Sequence, residues 1–303
     1  MIFFETEEQG AALEKYVDRL RADRLDVTVV EKNEARSLSP VFPNSAVGAV
    51  YCSEDAQIDS QAFVKAMGSA CQRSGVRIFE NTAVLGTLRR HDDAVGVRTV
   101  RGEIHASGVV WATGAWAVNL AAGGVDLPIR TMRMGQLVTQ AVPYRPGPIL
   151  HGPRGVANCG ALHDALAGDL SMFAPPTGLT RSTGYDDSIA QNTEGSVLIG
   201  NSLNGLGSLN PHISMAATQL MVAATLERSD GYAELGVTGL WAGLVGEAPD
   251  QLPIVDLVDG VFINAAHVHG VASGPASGQL IAGVIAGETH PLLAAVSATR
   301  PAP

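Results

Sequence analysis

Apolar and polar residues recur along this chain with two different periods, and each change of period marks an element. Between Thr6 and Arg24, Ala12, Leu13, Tyr16, Val17 and Leu20 fall at helical spacing with Lys15, Asp18 and Arg19 opposite, which predicts an amphipathic helix. Residues 1–5 before it and the β-branched run 25–31 after it read as strands. A second helix is predicted from Asp59 or Ser60, either of which suits an N-cap, to a stop at Gly75. Strand patterns follow at 76–79 and 83–88. A meander over 94–100 and 103–106 turns at Asp92-Asp93 and Arg101-Gly102.

Residues 108–112 (GVVWA) are continuously apolar, as in a strand buried on both faces of a parallel sheet, and lead through small residues into a predicted helix ending at Ala121. Two strand-like stretches are read in 127–148, and a Gly- and Pro-rich loop region in 147–184. A strand at 196–200 is followed by a helix over 212–226 with Ile213, Ala216, Ala217, Leu220 and Ala224 inward. Residues 261–266 predict another buried strand, which a glycine-rich loop joins to a helix over 275–286. Strands alternate with helices at both ends while the middle is mostly strands. The expected fold is therefore mixed, an α/β layer plus a second domain on an antiparallel sheet.

Composition narrows the function. Of 303 residues, 46% are hydrophobic, which provides for a full core, and 34 are glycine, which implies many turns or close backbone approaches. The net charge of −10 and the lack of a basic run argue against a nucleic-acid or anionic-membrane surface. Cys52, Cys71 and Cys159 are odd in number and without CxxC spacing; they read as reduced thiols of a cytosolic protein rather than a disulfide or zinc framework. No run of about 18 apolar residues predicts a membrane span, and the N-terminus lacks the basic region of a signal peptide. His267 and His269, spaced as i and i+2, would share a face on a strand but have no third metal ligand nearby in sequence. Cys159 with His163 is a weak nucleophile pair, and Ser182, Ser202 and Ser273 lack a GxSxG context. Trp111, Trp116 and Trp241 read as packing residues.

Six blocks in order carry a resemblance: DSQAFVKAMGSACQRSG (59–75), GVVWATGAW (108–116), RMGQLVT (133–139), SVLIGNS (196–202), WAGLVGEAPDQLPIV (241–255) and GVASGPASG (270–278). Together they resemble the FAD-dependent amine and amino-acid oxidases (D-amino-acid, glycine and sarcosine oxidases), nearest the opine oxidase and hydrogen cyanide synthase type of subunit. The resemblance implies an incomplete Rossmann-like FAD-binding domain (49–124 and 240–303) and a substrate domain with a large antiparallel β-sheet (1–48 and 125–239). It implies FAD as cofactor, with Val84, Ala112, Thr113, Gly114, Trp116, Gly270, Val271, Ala272 and Ser273 as cofactor-binding residues and no metal. His269 and Gln136 are the candidates near the reacting face of the flavin. In the family such segments lie beside the flavin: small residues at 112–114 let backbone approach the dinucleotide, and a helix N-terminus near Pro275 favours a reduced anion.

The family opens on a strand, a GxGxxG turn, a helix and an acidic residue. These 303 residues show no such unit; Gly205-Leu206-Gly207 reads as a loop. Strands 109–112 and 261–265 are then expected to have an unpaired neighbour position, exposed to aggregation. The carboxylate-binding arginines of relatives have no counterpart at Val245 and Val268, so an opine-like or N-substituted amine is expected over glycine, with Arg133, Arg154 and Arg181 as candidate anchors. Two readings follow. One is an oxidoreductase that removes hydride from the C–N bond of an amino acid, opine or other secondary amine. The other is a truncated or non-catalytic homologue, or a partner subunit of a heteromeric oxidase that does not hold FAD by itself.

Overall fold

Thr6 begins the first helix. Its Oγ1 accepts the Gln9 N–H at 3.2 Å, and Glu7 and Glu8 lie at the positive end of the dipole. The computed structural model describes residues 1–143, 147–159, 171–173 and 183–301. Two compact units divide them: Met1–Asp59 with Arg133–Gly205 and Asn210–Gly243, and Ser60–Met132 with Leu206–Leu209 and Leu244–Pro303. The first changeover falls beyond residue 48 because the strand Gly48–Cys52 is hydrogen-bonded into the sheet of the first unit.

That sheet has eight strands: β1 (Ile2–Phe4), β2 (Val27–Glu31), β3 (Gly48–Cys52), β8 (Arg130–Ala141), β9 (Leu150–His151), β10 (Thr183–Gln191), β11 (Ser196–Asn204) and β12 (Val237–Glu247). β8, β11, β10 and β9 are successively antiparallel, as are β1, β3 and β2; one parallel pair, β1 with β9, joins the two groups. The expected large antiparallel sheet is thus present, with this one parallel join. Helix α1 (Glu7–Ala22) buries Leu13 and Val17 against Phe4, Val27 and Val50. Helix α5 (Met215–Arg228), capped by Ser214, lays Leu220, Met221 and Ala224 on Leu137, Val197 and Ile199. Short helices α2 (Lys32–Leu38) and α4 (Pro153–Asn158), which lie between the sequence signals, also belong to this unit.

The second unit holds helix α3 (Ser60–Arg73) and the antiparallel meander β4 (Val84–Arg90), β5 (Asp93–Thr99) and β6 (Gly102–His105). A three-stranded sheet follows in the order β13 (Ile254–Val258), β14 (Val261–Ala265), β7 (Val110–Trp111). β14 is antiparallel to β13 and parallel to β7. Val261, Ile263 and Ala265 enter one core with Ile254 and Val109, while Phe262 packs with Val255 and Ile281 on the other side, so β14 is covered on both faces. Helices α6 (Gly270–Ile285) and α7 (Leu293–Val296) follow.

Several expectations change. Residues 76–79 form no strand: they lie without a ladder partner, and Val76, Ile78 and Phe79 are exposed. A strand pattern without an adjacent strand has nothing to bond to. The open edge also falls elsewhere than expected, because β14 has neighbours on both sides and the free edges of this sheet, among the described residues, are the outer sides of β7 and β13. The segment after β7 is a 3-10 helix, Gly114–Gly123, and among the described residues of 127–148 there is one long strand rather than two. Helix α6 starts at Gly270, ahead of Pro275, so residues 270–273 are its first turn and not a loop.

Candidate functional site

The second unit gathers most of the expected cofactor residues at one edge of a sheet. Phe262 pairs with Val110 and Ile263 with Trp111, in parallel. Both chains therefore leave the sheet at the same end, where open parallel sheets bind ligands. Beyond β7 come Ala112, Thr113 and Gly114. Gly114 takes a left-handed φ of 56°, and open space surrounds the position of its missing Cβ, so backbone is exposed there. Thr113 Oγ1 is buried and has no hydrogen-bond partner. Beyond β14 come residues 266–269 and the first turn of α6, where Gly270, Val271, Ala272 and Ser273 stand. The Ala272 and Ser273 N–H groups both point back to the His269 carbonyl, at 3.1 and 2.9 Å. First-turn N–H groups ahead of them have no intrahelical acceptor, the usual condition of a helix that awaits an acceptor.

A cleft of about 740 Å³ opens beside the β7 turn, lined by Val84, Leu85, Trp111, Thr113, Trp116 and Asn119 among others. Three expected residues, Val84, Thr113 and Trp116, thus share one cavity wall. Trp116 is 53% exposed and packs no core, contrary to its reading as a packing residue, and Trp241 is half-exposed as well. Trp111 is fixed: its Nε1 donates to Thr87 Oγ1 at 3.0 Å, which ties β7 to the meander. Nothing in the sequence spacing points to that bond.

His269 is exposed at the N-cap of α6, with no side-chain capping bond. His267 behaves differently: its Nε2 is 2.7 Å from Ser277 Oγ, and burial holds its pKa below the usual value against an opposing hydrogen bond to the Ala265 backbone. Because β14 ends at Ala265, the HVH segment is a turn and its two histidines share no strand face. No group of three or more metal-ligating side chains occurs among the described residues.

Gln136 belongs to the first unit, on β8 opposite Gly200. The two described candidate anchor arginines of that unit are buried beside partners, although the Nε and Nη1 of Arg154 make no hydrogen bond. Arg133 is buried, and its Nε and Nη1 donate to Asn204 Oδ1 at 2.9 Å and the Asn210 carbonyl at 3.1 Å. Arg154 lies buried 3.6 Å from Asp187. Arg228 donates to both carboxylate oxygens of Glu5, at 3.0 and 3.2 Å, and lies 3.4 Å from Asp187. Burial pushes the Asp187 carboxyl up from 3.8 to about 6, against the pull of both arginines. For Glu5 burial also raises the pKa, but the bonds from Arg228 and Ser45 outweigh it and the net direction is down. This network has the burial and pairing of a structural join between β1, β10, α4 and α5. Arg181, Ser182 and His163 lie outside the described residues.

The chain is 26% identical over 272 residues to a bifunctional ThiO/ThiG protein of Trichormus variabilis, covering 87% of this chain and 36% of that protein. It is 26% identical over 291 residues to hydrogen cyanide synthase subunit HcnC of Pseudomonas protegens, covering 91% and 62%. The chain therefore spans between about a third and three-fifths of the length of these relatives. Glycine oxidase from Geobacillus kaustophilus has the same fold, with a TM-score of 0.79 at 21% identity, over 99% of this chain and 74% of that one. No described helix is long and apolar enough to cross a membrane. The family model described as FAD dependent oxidoreductase matches residues 1–284, and the chain belongs to that family of FAD-dependent oxidoreductases.

Proposed function

We propose that these residues form the flavin-facing and substrate-facing part of an oxidoreductase that oxidises the C–N bond of an amino acid, opine or other secondary amine. One observation carries the reading: the turn at Ala112–Gly114 and the helix start at Gly270 stand at the carboxyl ends of two adjacent parallel strands. FAD, when bound, supplies the acceptor for the hydride that leaves the α-carbon. The residues present fit one side of that group. Thr113 Oγ1 offers an unused hydroxyl and the Gly114 backbone a close approach. The first turn of α6 directs N–H groups and the positive end of its dipole to a developing negative charge. Val84 and Trp116 wall the adjoining cleft, and His269, exposed at the start of α6, is the side chain of this unit proposed to orient the amine.

The pyrophosphate side has no glycine fingerprint in these 303 residues. A second reading, a partner subunit or non-catalytic homologue that does not hold FAD alone, is favoured by the free outer edge of β7 and by helix α3, which buries none of its residues. The discriminating measurement is the visible spectrum of the purified chain, together with flavin released on denaturation. Stoichiometric FAD supports the first reading. A folded, colourless chain that gains flavin absorbance only with an added subunit supports the second.

A further inference from the structure

The route from β14 into α6 is short and poorly held. Four residues, 266–269, separate the strand from the helix. Ala266 is fully buried with a left-handed φ of 61°, a conformation that a residue with a Cβ adopts at some cost. Within the turn, the Val268 N–H reaches the Ala266 carbonyl at 3.3 Å. The first turn of α6 is bonded back only to His269, through the Ala272 and Ser273 N–H groups and Ser273 Oγ at 3.0 Å. Those bonds fasten the helix to its own cap and not to the strand.

The helix is weakest over the same stretch. Gly270, Gly274 and Gly278 each lower helix propensity by about 1 kcal/mol relative to Ala. Pro275 has no N–H, so one intrahelical bond in the second turn is missing. Left to itself, such a start frays. One side-chain bond spans the weak stretch: His267, in the turn, reaches Ser277, beyond the proline, at 2.7 Å. Ser277 is 2% exposed and its hydroxyl is 2.9 Å from the Gly274 carbonyl, so it is itself held in place. The bond is short, partly buried and links positions ten apart in sequence around the helix start.

We infer that His267 is a positioning residue: through Ser277 it clamps the first turn of α6 against the end of β14 and so aims the helix N-terminus at the flavin face. The inference rests on the flavin reading for its target but not for its mechanism. His267 touches no reacting atom; it sets the direction of groups that do.

The test compares amide hydrogen exchange and FAD titration in the full 303-residue chain and five variants. In Ser277→Ala and His267→Ala, exchange across 266–273 accelerates about tenfold, the scale of one lost hydrogen bond, while the carboxyl-terminal half of α6 is unchanged. The double variant is no worse than either single one. Ser277→Thr restores protection, and so does His267→Gln, whose amide reaches the place of Nε2. With FAD, the same two alanine variants bind more weakly and lower the flavin midpoint potential, because misdirected amides stabilise a reduced anion less; a merely structural defect leaves the potential where it was. Additive effects, or faster exchange along the whole helix, overturn the clamp. Full local protection in both alanine variants overturns it too. A wild-type chain that takes up no FAD defeats the flavin reading, and the exchange arm then decides the clamp by itself.

Discussion

Helices α1 and α3 have similar lengths, 16 and 14 residues, and each carries one apolar face, yet the protein treats them differently. α1 sets Leu13 and Val17 into a core with Phe4 and Val50 and ties Gln9 to the Met172 carbonyl. α3 buries nothing: Val64 is 66% exposed, and Phe63 and Met67 are exposed beside it. The contrast extends to the units. The first has an eight-stranded sheet with helices on it and a buried charge network joining distant segments. The second has a sheet with one free parallel edge, a strand-like stretch at 76–79 without a partner, and exposed Val76, Ile78 and Phe79. Amphipathicity belongs to a sequence, but burial belongs to a pair of surfaces. The second unit presents surfaces that its own described residues do not cover.

The comparison breaks most readily in the first unit. Arg228→Ala removes both bonds to Glu5 and a partner of Asp187; the expected loss is about 3–5 kcal/mol, read as a lower urea midpoint. A loss below 1 kcal/mol would mean that the network joins nothing.

The pH dependence of the same network has a defined sign. The folded pKa of Asp187, about 6, lies above its ordinary 3.8, so the folded state binds the extra proton between those values. Its contribution is full below about pH 4 and is lost as pH rises through 6. That gap corresponds to about 3 kcal/mol at most. Glu5, held below 4.5, works oppositely and loses its contribution as pH falls. Urea midpoints at pH 4.5, 5.5 and 7 for wild type and Asp187→Asn separate the two: the variant gains on wild type as pH rises. A pH-independent difference would show that Asp187 titrates normally.

In the second unit the effects shrink. Thr87→Val deletes the acceptor of the Trp111 indole and is expected to cost about 1 kcal/mol, with altered Trp fluorescence as the local readout. Val64→Glu on α3 is expected to change stability by less than about 0.5 kcal/mol while it lowers binding of a hydrophobic dye. A loss above 1.5 kcal/mol there would show that α3 is covered in the folded chain, and the contrast between the two helices would disappear.

Much of this architecture is legible along the chain. The 3.6 period of α1, with Thr6 ahead of Glu7 and Glu8, and the apolar strands around Val110 and Ile263 state their elements locally, because periodicity and capping are properties of neighbours in sequence. The small residues at 112–114 do follow the end of β7, and Val84, Thr113 and Trp116 do share a cleft. Other features have no local signal. Residues 76–79 carry a strand pattern but no strand to pair with, Trp116 looks like a core residue but lies open, and Arg133 looks free but is held by Asn204 and Asn210.

By itself the sequence determined the family, the mixed fold and the segments that border the candidate flavin site, since those rest on short-range pattern and on blocks in order. Only the tertiary structure decided which polar groups are spent and which remain. Asp187 is held by two arginines from distant helices, Thr113 Oγ1 is left without a partner, and His267 is fastened to Ser277 while His269 stands exposed. A hydrogen bond or ion pair depends on distances of about 3 Å between groups that can be far apart in sequence, and no periodicity along a chain encodes such a distance.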